Sequence, residues 1–348
     1  MKVLMYGDFN LAGGPYDGAT TKTRNIYAAL KEKYDDVSMF NIEGWRKNPF
    51  KKLFQLKKAL KNIDVVVFVP GAKHGTYFAI NYFAKYKKRN DIRLYYFVAG
   101  SLLVDYLKEK PKYIKKASTI DGIFCETHGL IHELNEYGLE NVYYSPTFDR
   151  RGSFHFKDKA QKDDAIIRFC SFCRVTKEKG IAIACETFNF INHNSELEGI
   201  TLFYDIYGKL DQNFKLELDK LIEKSDGLIR YMGVIPEGEV IQTLTKYDAN
   251  IFPTYFKGEC LPATIIESYK ASIPVIASNW KYNSEFVEEG KTGFLFGNTV
   301  SDLHDFLKKH CFNRNPFTSL RKNCFEKSKE FSEEKCLKQL FEMIGENQ

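Results

Sequence analysis

The chain has 348 residues, 44% hydrophobic and 15% aromatic, with 51 Lys and Arg against 45 Asp and Glu. That length exceeds what one hydrophobic core usually covers, so two domains are expected, and the composition excludes disordered and collagen-like classes. No run of about 18 uncharged apolar residues is present, which excludes a membrane-spanning helix, and MKVLMYGDFN lacks the apolar core of a signal peptide, so a cytoplasmic protein is expected.

In chain order, KVLMYG, VSMFNI, VVVFVP, RLYYFVAG, GIFCE and VYYS read as strands of the first half. Helical patterns such as TKTRNIYAALKEKY and NPFKKLFQLKKALKN lie between them. The polar segment 149–164 reads as a linker. The second half repeats the theme with strands IIRFCSF, TLFYDIYG, LIRYMG, ANIFPT, IPVIAS and GFLFG. Its helical patterns are GIAIACETFNFIN, NFKLELDKLIEK, PEGEVIQTLTKY and PATIIESYKA, and residues 332–344 form a last amphipathic one. Strands interleaved with helices of about 10–15 residues predict βαβ units and parallel sheets. The expected architecture is α/β, with domains over 1–150 and 165–328 joined by 151–164. Residues 329–348 form a C-terminal helix free to pack back on the first domain. In such sheets ligands bind beyond the carboxyl ends of the strands, where the strand order reverses. Two such domains facing each other would frame a cleft with strand-end loops.

Charge divides unevenly. Residues 1–150 carry 24 Lys and Arg against 16 Asp and Glu, a balance of +8, and the remainder carries 27 against 29. A basic first half suits an anionic partner: a membrane surface or an anionic substrate, since no nucleic-acid motif is visible. Within it, NPFKKLFQLKKALKN sets Phe50, Leu53, Phe54 and Leu60 near one face among lysines. Packing on a sheet is the ordinary reading of such a helix; contact with anionic lipid is the alternative. Cys170 and Cys173 form a CxxC with no second ligand pair at zinc spacing, so they read as reduced core cysteines, and no metal is expected.

Three loops after strands carry chemistry. GDFNLAGGPYDGATT follows the first strand and holds Gly13 and Gly14 before a helix near Thr20. Backbone N–H groups of such a loop approach an anion closely, and a helix start adds roughly half a positive charge. The spacing is neither GxGxxG nor GxxxxGK[ST], which argues against a dinucleotide dehydrogenase and a P-loop nucleotidase. SFCRVTKEKGI puts Arg174 and Lys179 at a strand end, suited to a departing diphosphate. GECLPATIIE puts Glu259 in a loop and Glu267 inside a helix that Pro262 opens, with Ala263 and Thr264 in its first turn. A loop acid and a helix acid about two turns apart are not a close acid–base pair; each can grip sugar hydroxyls.

The stretch from Gly258 to Phe296 resembles the signature of glycosyltransferase family 4, retaining enzymes of the GT-B fold. Glu259 and Glu267 match its E-x7-E element. Ser272-Ile273-Pro274-Val275-Ile276 stand in the place of its G-x-P-V-I strand, and Glu285, Gly290 and Gly293 match E-x-V-x-x-G-x-x-G. Upstream, Arg174, Lys179 and Gly180 match R-x4-K-G, and the segment around Gly233 and Val234 matches the place where the nucleotide base rests. The resemblance spans about residues 165–300. It implies two Rossmann-like domains and transfer of a sugar from a UDP- or GDP-linked donor to a glycan or lipid-linked acceptor. Arg174 and Lys179 would stabilise the departing diphosphate, Glu267 would bind ribose, and Glu259 would hold the donor sugar. The N–H groups of Leu261, Pro262's neighbours Ala263 and Thr264 would meet phosphate or sugar.

The chain also departs from that pattern. Cys260 stands where the family usually has glycine. The histidine that many members carry in the first half is missing from FVAGSLLVDYL. Glu126, Thr127, Asn141, Val142, Pro146 and Phe148 instead resemble a subgroup tied to capsule and surface polysaccharide assembly. Glu126 follows a strand and should face the cleft toward the acceptor, unless it only caps a helix near Thr127. His74, also after a strand, is a second acceptor-side candidate or a loop histidine without chemistry. An enzyme working on lipid-linked glycans would sit in the cytoplasm, peripheral to the membrane. The rival readings are a non-catalytic nucleotide-sugar-binding subunit and a GT-B nucleotide-sugar epimerase.

Overall fold

The structure is a computed structural model and describes residues 1–13, 18–45, 47–150, 165–312 and 315–345, with the backbone alone at 315 and 316. Gly14 and the expected linker 151–164 lie outside the described residues. The strands are β1 Lys2–Gly7, β2 Asp36–Asn41, β3 Val65–Phe68, β4 Arg93–Phe97, β5 Gly122–Cys125 and β6 Val142–Tyr144. They continue with β7 Ile166–Phe172, β8 Thr201–Tyr207, β9 Ile229–Gly233, β10 Ala249–Phe252, β11 Val275–Ser278 and β12 Gly293–Phe296. Every apolar run read as a strand forms one. VVVFVP and ANIFPT stop before their prolines, which cannot donate to a ladder.

The strands form two six-stranded sheets, β2-β1-β3-β4-β5-β6 and β12-β11-β10-β7-β8-β9. Their pairings are parallel throughout the described residues. β3, β5, β10 and β11 are buried along their whole length, as strands covered by helices on both faces must be. The chain divides into two compact units, Met1–Arg150 with Ser332–Gln348, and Arg151–Phe331.

The C-terminal helix Glu333–Gly345 belongs to the first unit. Cys336, Leu337, Leu340 and Ile344 join the core that Val3, Val65 and Tyr95 build. Arg93 donates to the carbonyls of Met343 (3.1 Å) and Ile344 (2.9 Å), satisfying the helix's last acceptors with a cation.

Two helical expectations change. PEGEVIQTLTKY holds only a turn at Glu237–Glu239 and a short helix Val240–Leu244, with the poor helix former Gly238 at its start. In the helix Pro49–Ala59 the apolar residues do not share one buried face: Leu56 and the following Leu60 turn in, while Phe50 and Phe54 stay exposed. The order of strands reverses between β1 and β3 in the first unit and between β7 and β10 in the second. Those are the places where an open α/β sheet leaves a crevice at its carboxyl edge.

Candidate active site

In the second unit β7 and β10 pair side by side, Phe169 with Ala249 and Cys170 with Asn250. The loops that leave their carboxyl ends lie against each other. After β7 the chain passes Arg174, makes a turn over Lys177–Lys179, and enters the helix Ile181–His193 through Gly180 at φ 70°. A Cβ on Gly180 would stand 1.8 Å from the Pro253 carbonyl oxygen, so only glycine allows the two loops to touch here.

This contact brings Lys179 and Glu259 together. The Lys179 Nζ donates to Glu259 Oε2 at 2.5 Å, Thr254 Oγ1 donates to the same oxygen at 2.8 Å, and both charged side chains are buried. The ammonium also faces the rings of Phe252 (5.2 Å) and Phe256 (5.3 Å). Arg174 is exposed, its guanidinium 5.6 Å from the centre of the Phe256 ring. Two cations therefore share one aromatic platform. The platform is held from below: Trp280 Nε1 donates to the Phe256 carbonyl (2.8 Å), and Ser278 Oγ donates to that of Thr254 (2.5 Å). Burial pushes the Cys173 thiol up to about 11, against the pull of the nearby Lys179 cation, so it is protonated at neutral pH.

The acid pair is arranged as its spacing predicts, with one correction. Pro262 is the cap of the helix Ala263–Lys270, with ψ 129°, rather than its first residue. Ala263 opens the helix and Glu267, half-buried, lies one turn further on the same face. The Thr264 hydroxyl accepts from the buried Asn250 Nδ2 (2.7 Å), which also donates to Ser268 Oγ (2.8 Å), so its side chain pins the helix to β10. Leu261 and Pro262 are buried beside it. Gly233 ends β9 at φ 75°, and Val234 after it is exposed.

The two departures from glycine differ in kind. Ser272 takes φ 58°, a left-handed conformation in which a glycine would be unstrained. Cys260 is buried but is not among the positive-φ residues, so the backbone there has no need of glycine.

In the first unit, Gly13 has φ 85° and closes a turn onto the Asn10 carbonyl (3.2 Å). Glu126, expected to face the cleft or to cap the helix near Thr127, turns its carboxylate into the unit instead. It is buried in an ion pair with Lys22 and accepts from Thr147 Oγ1 at 2.5 Å. Lys22 also donates to the Val98 carbonyl at 2.8 Å. The cap of the helix His128–Glu136 is Thr127, which accepts from the Leu130 N–H at 3.1 Å. His74 lies not in a loop but in the first turn of the helix Lys73–Lys87, exposed. Sequence reasoning missed Lys22, Thr254 and Phe256. A lysine in an amphipathic helix reads as solvated, and only the aromatic of YFKG beside a loop rich in charge was a signal.

No curated protein matches the chain in sequence. Among solved structures it is similar over 99% of its length to all of Anabaena HepE in complex with UDP-glucose, at 14% identity and TM-score 0.75. It is similar over 100% of its length to 99% of the sucrose-phosphate synthase of Thermosynechococcus elongatus, at 12% identity and TM-score 0.79. The lipopolysaccharide outer core galactosyltransferase WaaB is similar over the full length of both chains, at 14% identity and TM-score 0.71. Those likenesses show the fold, two Rossmann-like units of the GT-B class. Residues 152–331, more than half of the chain, match the model of glycosyl transferases group 1, and the chain belongs to that family.

Proposed function

We propose that this glycosyltransferase moves a sugar from a UDP- or GDP-linked donor to a hydroxyl of a glycan or lipid-linked glycan, with retention, in surface polysaccharide assembly. The observation that carries the reading is the convergence of Arg174, Lys179 and Glu259 at the β7/β10 switch point. Arg174 is exposed and the Lys179 Nζ makes a single hydrogen bond among the described residues, so both have N–H donors left for a diphosphate. Glu267 would take the ribose hydroxyls and Glu259 the donor sugar. Gly233, Val234 and the N–H groups of Leu261, Ala263 and Thr264 would line the donor around them. The acceptor side falls to the first unit, where His74 is exposed.

In the proposed course the bond from the anomeric carbon to the diphosphate breaks, and its electron pair leaves with the phosphate. Positive charge from Arg174 and Lys179 offsets the charge that develops there, so side chains rather than a metal do this work. The acceptor oxygen bonds the anomeric carbon on the face the diphosphate leaves, and its proton passes to the departing phosphate. Glu259 is a poor covalent nucleophile, because Lys179 and Thr254 already hold its carboxylate.

Incubation with UDP- and GDP-sugars and detection of released nucleotide tests the reading. Lys179→Ala and Glu267→Ala each delete a charged hydrogen bond of about 1.5–3 kcal/mol, so each should slow turnover well over tenfold. Arg174→Ala, made at an exposed position, should do the same without disturbing the core. Donor binding without transfer would sink the enzyme reading, and full activity in all three variants would sink the site.

A further inference from the structure

The helix Pro49–Ala59 has an outer face that its own fold does not use. Asn48 caps it, accepting from the Lys51 N–H at 3.3 Å, and Pro49 takes its first position. Leu56 is buried, and Lys52 turns inward to donate to the Asn41 carbonyl at 2.8 Å. Phe50 is 85% exposed and Phe54 is 72% exposed. Four residues apart on a helix, these two rings stand together. At about 100° per residue, Lys57 flanks them on one side and Lys58 and Lys51 on the other. All three lysines are exposed. No Asp or Glu occurs between Glu43 and Asp64.

Adjacent exposed phenylalanines are unfavourable in water and mark a surface that meets something. The partner must offer an apolar phase within the depth of a phenyl ring and negative charge on both sides of it. A bilayer with anionic headgroups meets both demands, and lysines on either flank of the aromatic stripe fit a flat charged surface. We infer that this helix seats the enzyme on an anionic lipid surface. Phe50 and Phe54 enter the boundary between headgroups and acyl chains, and Lys51, Lys57 and Lys58 hold headgroup phosphates. With 11 residues the helix lies on the membrane, and among the described residues no helix is long and apolar enough to cross one. The inference rests on the lipid-linked acceptor of the proposed function for its purpose, though not for its test.

Sedimentation of the full chain with vesicles of phosphatidylcholine alone, or of phosphatidylcholine with phosphatidylglycerol, reads the surface directly. Binding to the anionic vesicles is expected, weakened by salt. Phe50→Ser with Phe54→Ser should lower it at least tenfold, and so should Lys51→Gln with Lys57→Gln and Lys58→Gln. A separate variant, Phe54→Trp, should shift its emission to the blue on anionic vesicles only. Equal binding to neutral vesicles, unchanged binding in the serine variant, or a chain dimer that the serine substitutions abolish would each overturn the inference. Capture by a soluble acidic protein without vesicle binding would overturn it as well. Nucleotide release from a soluble donor should be the same in all variants. Vesicle binding that fails while release persists therefore removes the membrane surface alone, and release that fails while vesicles bind removes the transfer reading alone.

Discussion

Both sheets carry the same three residue types at their carboxyl edges, and the two sets are built differently. In the second unit Lys179 and Thr254 hold Glu259. In the first unit Lys22 and Thr147 hold Glu126. All four charged side chains are buried. A buried ion pair is poor evidence of stabilisation, so each pair calls for its own reason. Lys22 sits inside the helix Gly18–Lys33 and donates to Glu126 after β5 and to the Val98 carbonyl after β4, while Thr147 follows β6. That arrangement ties a helix to three strand ends. Lys179 sits in a turn, bonds one carboxylate and faces two rings, with exposed Arg174 sharing the Phe256 platform. The first pair is closed among three strand ends and a helix, whereas the second has an exposed cation beside it, which is where the proposed donor would bind.

The largest effect that can break this contrast is loss of one charge from the internal pair. Lys22→Met leaves Glu126 buried and unpaired, which should cost about 3–5 kcal/mol of stability. Lys22→Met with Glu126→Gln should recover most of that loss in urea unfolding and keep nucleotide release at the level of the unmodified chain. The matching double change, Lys179→Met with Glu259→Gln, should recover stability yet leave turnover low. If the first-unit double variant loses turnover as deeply, Glu126 acts on the acceptor and the contrast fails.

A smaller effect comes from the threonines. Thr147→Val and Thr254→Val each remove one hydrogen bond to a buried carboxylate, worth about 1.5–3 kcal/mol. Both should lower the unfolding midpoint, but only Thr254→Val should also reduce turnover, because it loosens the acid proposed to hold the donor sugar. Equal turnover in the two variants would mean that Glu259 is as inert as Glu126.

The strands of both units were legible because a covered parallel strand is an uninterrupted apolar run: VVVF and ANIF leave no other reading. The second-unit site was legible for a related reason. Its loops follow those strands directly, and Gly180, Glu259 and Glu267 keep spacings that the R-x4-K-G and E-x7-E elements describe. What the sequence concealed depends on side-chain direction. Glu126 stands at a strand end, yet its carboxylate turns onto a lysine about a hundred residues earlier. Lys22 has the pattern of a solvated helix residue, and only the fold shows that its long side chain lies inside. Phe50 and Phe54 have the pattern of a buried face; which half of an amphipathic arc meets the sheet is set by packing, not by hydrophobicity alone. Pro262 reads equally well as a cap or a first residue, since its fixed φ suits both.

The smallest effect separates strain from function in the second unit. Ser272 turns the chain from the helix Ala263–Lys270 toward β11, and Ser278 at the end of that strand supports Thr254. Its left-handed backbone, φ 58°, costs a residue with a Cβ roughly 1 kcal/mol or more, partly offset because glycine gives the unfolded chain more freedom. Its N–H already bonds the Tyr269 carbonyl at 2.9 Å, a turn that glycine would keep. Ser272→Gly should therefore stabilise the protein by about 0.5 kcal/mol and raise its unfolding midpoint by about 1–2 °C. Turnover should not move, because the strain lies in the turn before the strand and not in the loop that holds Glu259. A fall in midpoint would mean that the serine side chain contributes more than its backbone strain takes away. A change in turnover would mean that the turn and the Lys179–Glu259 centre are coupled, and that the donor site depends on the tension behind it.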